Sequence, residues 1–528
     1  MTTYALSVTV AGQPFDLMTY IAEQSLYGVF FKSAYDAFSL EGNVLTKVTD
    51  ADYPGWSQHT PTSITRSGST ATVTMPSATN WQTGNNVTVA GAAQTEYNGT
   101  VAITVTDSTH FTYQVTGTPA TPATGTITVT GGRTTVPGIV FLNGYFFVMD
   151  ENAVIYNSAL NDPLTWGALD FVQASIEPGM GVALAKSQNY VVAFKEWSTE
   201  YFYNTDTATA TGTPLAPVLS AFTQIGCANG ESVAYLDENI YWASKAKQQG
   251  PGVWKMKELE QAKVSTPDVD RILAADGMSD VYAYGVRIAG HSFYVLGLRT
   301  IGMTLAYDAS NGTWALWTSL TAQTPASCTI TQTGGLATVT QVGHGHADCD
   351  PVTIAGAAQT AYNGLKQISY VDADHFTFPV PSATVTPATG TITATGYDET
   401  YFKYTRYVNA AGRDLVLHET TGELCEIMDS EVEDDGLPIK LVIRTDKVDG
   451  GNEDWKTLGQ VRVIGDKIGG EAMIRWSDDD YTTYKYGRRV DLSAAQAVVR
   501  RCGKYRRRSF EIIHIGPEHV QVSALELD

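Results

Sequence analysis

Residues 90–99 read AGAAQTEYNG, and the same words return at 355–364 as AGAAQTAYNG, 265 positions later. At that offset His110-Phe111-Thr112-Tyr113 meets His375-Phe376-Thr377-Phe378, and TPATGTIT at 121–128 meets its copy at 386–393. ATVT at 71–74 returns at 337–340 with the offset changed by one, as a single-residue insertion would do. Self-similarity on this scale marks two related modules, near 62–132 and 326–396. Runs such as VTVA, VAITVTD and GTITVT alternate and are rich in β-branched residues, which is the pattern of half-buried strands. Asn98-Gly99 and Asn363-Gly364 fall between such runs, so a hairpin turn with positive φ is expected at each.

The chain around the modules alternates short aromatic strands with turns. Gly144–Asp150 with Ala153–Tyr156, the strands beginning at Asn239 and Gly290, Thr304–Asp308 with Gly312–Trp317, and Gly412–Leu417 with Gly422–Ile427 form such pairs. Leu26–Phe31 with Asp36–Val48 is an earlier one. Antiparallel meanders with aromatic punctuation suggest propeller blades, although periodicity alone fits a sandwich equally. After the acidic stretch Glu426–Asp435 the pattern changes, and 441–445, 461–464, 473–476, 510–515 and 520–527 read as strands of a C-terminal sandwich. The expected fold is all-β: a β-propeller body (1–61, 133–325 and 397–430), inserted immunoglobulin-like or barrel-like modules at 62–132 and 326–396, and a β-sandwich at 431–528. Helix-like runs are expected only at Met256–Val264 and Ser493–Arg501.

Composition narrows the function. Of 528 residues 43% are apolar and 17% charged, and Lys+Arg 34 against Asp+Glu 55 leaves −21. That balance argues against a surface built to grip nucleic acid or an anionic membrane, though not against a conduit through which DNA slides. Five scattered cysteines make no disulfide framework and point to folding in a reducing compartment. The opening MTTYALSVTVAGQPFDLM shows no secretory pattern, so cytoplasmic synthesis is expected.

Several segments resemble, in order, the packaged-DNA stabilisation protein family of short-tailed bacteriophages, which forms the tail nozzle or hub. They are Tyr156–Trp166 with Leu169-Asp170-Phe171, then Phe194–Phe202 with Ser198-Thr199-Glu200, then Gly226-Cys227 with Ser232-Val233-Ala234, and finally Trp476–Asp479 through Gly503–Arg508 to Asp528. The chain departs from the family at Asp480-Tyr481-Thr482, where a glycine-rich turn is usual, and at its three consecutive arginines, Arg506–Arg508. The resemblance implies a virion protein, non-enzymatic and without cofactor. It implies a ring of self-associated subunits, taken as a homohexamer, below the portal and the head-to-tail adaptor. Tail fibres or spikes and a plug or needle protein would attach there, with genomic DNA passing without sequence-specific contact.

Other chemistry is thin. There is no Walker loop, Gly-x-Ser-x-Gly, His-Glu-x-x-His or Cys-x-x-Cys. His344-x-His346-x-x-Cys349 with Cys328 has metal-ligand residue types, but the first module carries Thr79, Trp81 and Gly84 there, so a polar loop is the plainer reading. Ser477–Tyr484 resembles a sialidase Asp-box without its glycine and reads as an Asx-type turn. The aromatics Phe146, Tyr241, Trp242, Phe293, Tyr294, Trp314 and Trp317 could stack sugars, but core packing is favoured. Arg500, Arg501, Lys504, Arg506, Arg507 and Arg508 put six cations within nine residues, favouring a contact with a neighbouring subunit or the adaptor. On an alternating strand Arg506 and Arg508 would point opposite to Arg507. Two alternatives stay open: a glycan-binding receptor-recognition tail protein, and a propeller glycosidase working through two carboxylates.

Overall fold

The computed structural model describes residues 16–22, 26–33, 36–41, 44–50, 52–77, 79, 81, 83–205, 212–247, 250–410, 412–428, 431–485, 487–516 and 518–528. The opening segment through Phe15, expected to lack a secretory pattern, and Asp429 of the acidic stretch lie outside them. The chain divides into two compact units. One runs up to Ile301 and adds Leu305–Ala315 and Thr405–Tyr407; the other comprises Gly302–Thr304, Leu316–Tyr404 and Val408–Asp528. No helix of the described residues is long and apolar enough to cross a membrane.

In the first unit, consecutive antiparallel meanders form propeller blades. Asp16–Ala22, Leu26–Lys32, Ala37–Glu41 and Val44–Lys47 make one sheet. Val140–Leu142, Tyr145–Met149, Val154–Ala159 and Asp162–Gln173 make the next, followed by Gly181–Ser187, Tyr190–Lys195, Thr199–Asn204 and Leu215–Pro217. A further blade is Ala234–Leu236, Asn239–Ser244, Gly252–Lys257 and Glu260–Lys263. Val281–Ile288 and His291–Leu298 open another, whose later strands Met303–Asp308 and Thr313–Ala322 cross the unit boundary. Central strands are buried on both faces, as in Tyr190–Lys195 with only Tyr190 partly exposed, because that blade packs between two others. Phe30 meets Phe146 at 5.1 Å, Phe194 meets Trp242 at 5.0 Å, and Tyr241 stacks on Tyr294 at 5.4 Å, each across a blade interface. Phe146, Tyr241, Trp242 and Tyr294 are buried, while Phe293, Trp314 and Trp317 are half-buried.

Each module is a two-sheet sandwich. In the first, Ser63–Ser67, Thr70–Thr74, His110–Gln114 and Thr104–Asp107 face Trp56–His59, Gly125–Gly132, Asn86–Ala92 and Gly99–Ala102, so the sheet reaches upstream of 62 to Trp56. In the second unit, Thr329–Thr333, Leu336–Thr340, His375–Pro379 and Ser369–Asp372 repeat the first sheet. The cores correspond residue for residue: Ile64, Val73, Val87, Tyr97, Phe111 and Ile127 against Ile330, Val339, Val352, Tyr362, Phe376 and Ile392. A three-stranded meander is formed by Tyr404–Ala410, Arg413–His418 and Leu424–Ile427, all of the second unit except Thr405–Tyr407. The second unit's C-terminal sandwich pairs the sheet Lys440–Arg444, Ser509–Ile515, Glu471–Ser477, Arg488–Asp491 with the sheet Ala497–Tyr505, Lys456–Gly465, Val522–Leu527.

Three local expectations are corrected. At the two Asn-Gly pairs positive φ is found at Gly99 (141°) and Gly364 (94°), but Asn98 and Asn363 have φ −82° and −73° and end short 3-10 turns, Thr95–Tyr97 and Thr360–Tyr362, so neither pair is a two-residue hairpin turn. The asparagine side chains replace a strand neighbour: Asn98 donates to Ala92 O (2.8 Å) and accepts from Ala92 N (2.9 Å). The Asn-Gly hairpin lies instead at Asn143 (φ 50°) and Gly144 (φ 85°), between Leu142 and its partner Tyr145. Met256–Val264 is a hairpin, with Trp254 opposite Lys263, and most of Ser493–Arg501 belongs to the strand Ala497–Tyr505. In both places pairing with a neighbouring strand overrides a weak helical pattern. Among the described residues the α-helix is Pro267–Asp276, started by Pro267 and the Thr266 cap and ended by Gly277 at φ 76°. Arg506–Arg508 is not an alternating strand either; it turns between Ala497–Tyr505 and Ser509–Ile515.

Candidate functional site

The polar residues of the family-like segments are spent on holding blades together. Ser158 Oγ accepts from Phe146 N (3.1 Å) and donates to Ala159 O (2.7 Å), and Trp166 Nε1 donates to Pro163 O (2.9 Å). Trp166 also lies edge-on to Tyr53 at 5.0 Å, and its backbone N–H donates to Asp50 Oδ2 (3.1 Å). Next along the chain, Lys195 and Glu200 form an ion pair with side chains 1% and 0% exposed. Lys195 Nζ donates to Glu200 Oε1 (3.1 Å), to Ala174 O (2.7 Å) and to Glu177 O, while Glu200 accepts from the N–H groups of Ile176 and Glu177. A buried charge pair survives only with every partner supplied, and here the loop 174–177 supplies them.

The third segment is a corner. Ser232 Oγ donates to Asn229 O (2.6 Å) and accepts from Ala243 N (3.1 Å); Trp242 Nε1 donates to Gly226 O (3.1 Å) and Tyr294 Oη to Ser232 O (2.7 Å). A Cβ on Gly226 would meet Glu196 O at 2.2 Å, so only glycine fits. Burial pushes the Cys227 thiol up to about 12, far from the thiolate a nucleophile needs.

The histidine cluster of the second module has a packing explanation. His344 Nε2 bonds Asp372 O (2.9 Å), its Nδ1 accepts from His346 N (3.0 Å), and both rings lie edge-on to Phe376 at 5.2 and 5.6 Å. Trp81 does this in the first module, edge-on to Phe111 at 5.4 Å. Burial, then the neighbouring His344, holds His346 below the usual imidazole range. Among the described residues no group of three or more His, Cys, Asp or Glu converges on a metal site.

Where the modules diverge, the second grips the C-terminal sandwich. Thr83, Gly84 and Ala102 become Asp348, Cys349 and Gln367. Asp348 Oδ2 accepts from Gly487 N (2.6 Å), Gln367 Nε2 donates to Ile513 O (3.3 Å), and Cys349 packs with Met473, Ile513 and Ile515. Two concavities stand out among the described residues, of about 230 and 160 Å³. Both are smaller than the ~300–1,000 Å³ of ordinary small-molecule sites.

The six cations divide. Arg508 is buried: Nε and Nη2 donate to the Asp478 carboxylate (2.6 and 2.9 Å), Nη1 to Cys502 O (2.6 Å), and the guanidinium lies between Trp476 (5.1 Å) and Tyr505 (4.7 Å). Arg507 pairs with Asp480 (3.0 Å) and Glu453 (3.8 Å). Arg500, Arg501, Lys504 and Arg506 are exposed, the last over the Trp455 ring at 5.1 Å. Burial of Arg508 was hidden in the sequence, because its partner stands 30 residues upstream. The neighbouring Asp479 ties the Ser477–Tyr484 turn, accepting from Thr483 N (2.8 Å) and Ser477 Oγ (2.8 Å), with Thr483 Oγ1 also donating to its carboxylate. Those bonds, that of Thr483 Oγ1 first, hold its carboxyl down at about 2, as an Asx-type turn requires.

Among solved structures, the chain is similar to BamB from Moraxella catarrhalis, at 10% identity and TM-score 0.24, covering 67% of this chain and 97% of that one. It is similar to the computationally designed Ika8 protein at 9% identity and TM-score 0.25, covering 77% and 93%. A third is the exo-beta-1,3-galactanase of Phanerochaete chrysosporium, at 8% identity and TM-score 0.22, covering 88% and 93%. No curated protein matches. Residues 69–329, just under half of the chain, match the family model described as "Bacteriophage P22 Gp10, beta-propeller". That stretch contains three of the blades whose locks are built from the family-like segments, and over it the chain matches a bacteriophage tail-protein family with a β-propeller body.

Proposed function

We propose that the chain is the subunit of a tail nozzle: six copies form a ring below the portal and adaptor, extend the DNA channel, retain the packaged genome and anchor fibres or spikes. The observation that carries this reading is the family match over residues 69–329. Its motif residues do structural work, as the Lys195–Glu200 and Ser232 locks illustrate, which suits a non-enzymatic part. Charge supports it: six times −21 is −126 for the ring, and acidic walls repel phosphate, so DNA is held without adhering. Partners are the adaptor, the fibre or spike proteins and a plug or needle.

Particles made without this chain test the proposal. Heads should fill and then lose their DNA to added nuclease, and purified chain added before the nuclease should restore retention. Heads that keep their DNA without the chain, or purified chain that cleaves host glycan, would overturn it in favour of a receptor-binding or glycan-cleaving role.

A further inference from the structure

The nozzle reading leaves open how strongly acidic subunits hold one another, and two surface patches of the second unit bear on that. The strand Ala497–Tyr505 is the outer strand of its sheet. Ala497, Val499, Cys502 and Tyr505 enter the core, while Arg500, Arg501 and Lys504 stay in solvent. A register shift opposite Leu458 and Gln460, with Arg501 at φ 61°, leaves Arg500 and Arg501 both exposed. Just beyond, exposed Arg506 lies on the ring of Trp455, which is itself 65% exposed. Among the described residues, no carboxylate forms an ion pair with Arg500, Arg501, Lys504 or Arg506, although Arg507 and Arg508 beside them are fully engaged.

The oppositely charged patch is the short hairpin Glu433–Asp434 with Leu437–Pro438. Glu431, Glu433 and Asp435 are exposed, and among the described residues no cation pairs with them. Asp434 accepts from Tyr404 Oη (2.6 Å). The field of the hairpin is felt at Cys425, whose thiol is raised by burial and then by Asp435, Glu423 and Asp434.

We propose that the basic strand of one copy, Arg500, Arg501 and Lys504, with Arg506 and Trp455 beside it, docks on the acidic hairpin of the next copy around the ring. This rests on the ring reading. The occupant is a second copy because the chain carries both halves of the match. A head-to-tail contact joins two different patches of one chain, whereas a separate acidic partner would leave the hairpin without a role. Subunits of net charge −21 repel at long range, so a closing contact has to set opposite charges locally. Edge strands often carry a single cation against aggregation, but that does not call for four cations or an exposed tryptophan. Tryptophan and arginine are the residue types that most often anchor interfaces.

The test uses the full chain, with the adaptor ring present if assembly requires it, and two variants: R500E/R501E/K504E and E431K/E433K/D435K. Native mass measurement should show each variant failing to form the ring, by about tenfold or more in the concentration needed. An equimolar mixture should restore it, because alternating copies place a plus patch against a minus patch at every interface of an even-numbered ring. The wild-type ring should also come apart as NaCl rises from about 0.05 to about 1 M. Either variant assembling alone like the wild type would overturn the proposal, as would a mixture that stays dissociated while both variants keep the wild-type melting temperature. If a variant misfolds, the salt titration and W455A decide: a ring indifferent to both overturns it. A wild-type chain that forms no ring even on the adaptor refutes the nozzle reading instead.

Discussion

Arg508→Met removes one side chain whose consequences can be worked from its contacts. Methionine keeps most of the volume between Trp476 and Tyr505 but makes none of the hydrogen bonds. Cys502 O and Lys504 O lose their donor, at about 1 kcal/mol each, and the Asp478 carboxylate loses its fork. Asp478 is 28% exposed and keeps Lys485 at 3.3 Å, so its charge is not stranded. That places the total near the lower end of the ~3–5 kcal/mol for breaking a buried pair, about 3 kcal/mol. Arg506→Met, two residues away, gives up only an exposed contact with Trp455, worth about 0.5–1 kcal/mol. Hydrogen exchange on peptides covering Ser509–Ile515 reads the difference where it arises. About 3 kcal/mol corresponds to roughly 100-fold faster global-opening exchange in R508M, against less than about fivefold in R506M. Equal protection in the two variants would refute the division of the arginine cluster into a structural member and exposed ones.

Lys195→Met should cost about 3–5 kcal/mol by stranding Glu200, and K195M/E200Q should recover part of it; a single-variant melting curve that overlays the wild type contradicts the buried lock. Asn98→Ala and Asn363→Ala should cost the same, about 1–3 kcal/mol each, since both amides satisfy equivalent backbone groups at Ala92 and Ala357. Unequal shifts of the two module transitions from their own wild-type urea midpoints would count against equivalent turns. Asp479 has its folded carboxyl at about 2, below 3.8, so its stabilisation is present above about 3.8 and lost as pH falls through about 2. Asp479→Asn should therefore lower stability at pH 7, with the gap from wild type closing between about pH 4 and 2; a gap constant over that range rules out the ionised turn.

How much of this was readable in advance depended on the range of each interaction. The paired modules stood out because core positions such as Tyr97 and Tyr362 recur with their neighbours intact. The blades showed through runs like Tyr145–Met149, buried on both faces and therefore apolar without a break. The helix Pro267–Asp276 carried its start and stop in Thr266, Pro267 and Gly277, but only Val269 and Leu273 among its apolar residues are buried, too few for a visible stripe. Asn98-Gly99 shows a strong local signal losing to a tertiary one, the amide bonding Ala92 across the turn. The role of Asp348 and Gln367 was out of reach, because their partners Gly487 and Ile513 stand 139 and 146 residues away.

The central claim, a ring-forming tail subunit, is tested most directly by imaging the purified chain on its adaptor by electron cryomicroscopy with mass measurement alongside. The account predicts six subunits of 56.9 kDa around one open channel, each with the propeller body in the ring. A chain that stays a monomer or trimer and ignores the adaptor would contradict it.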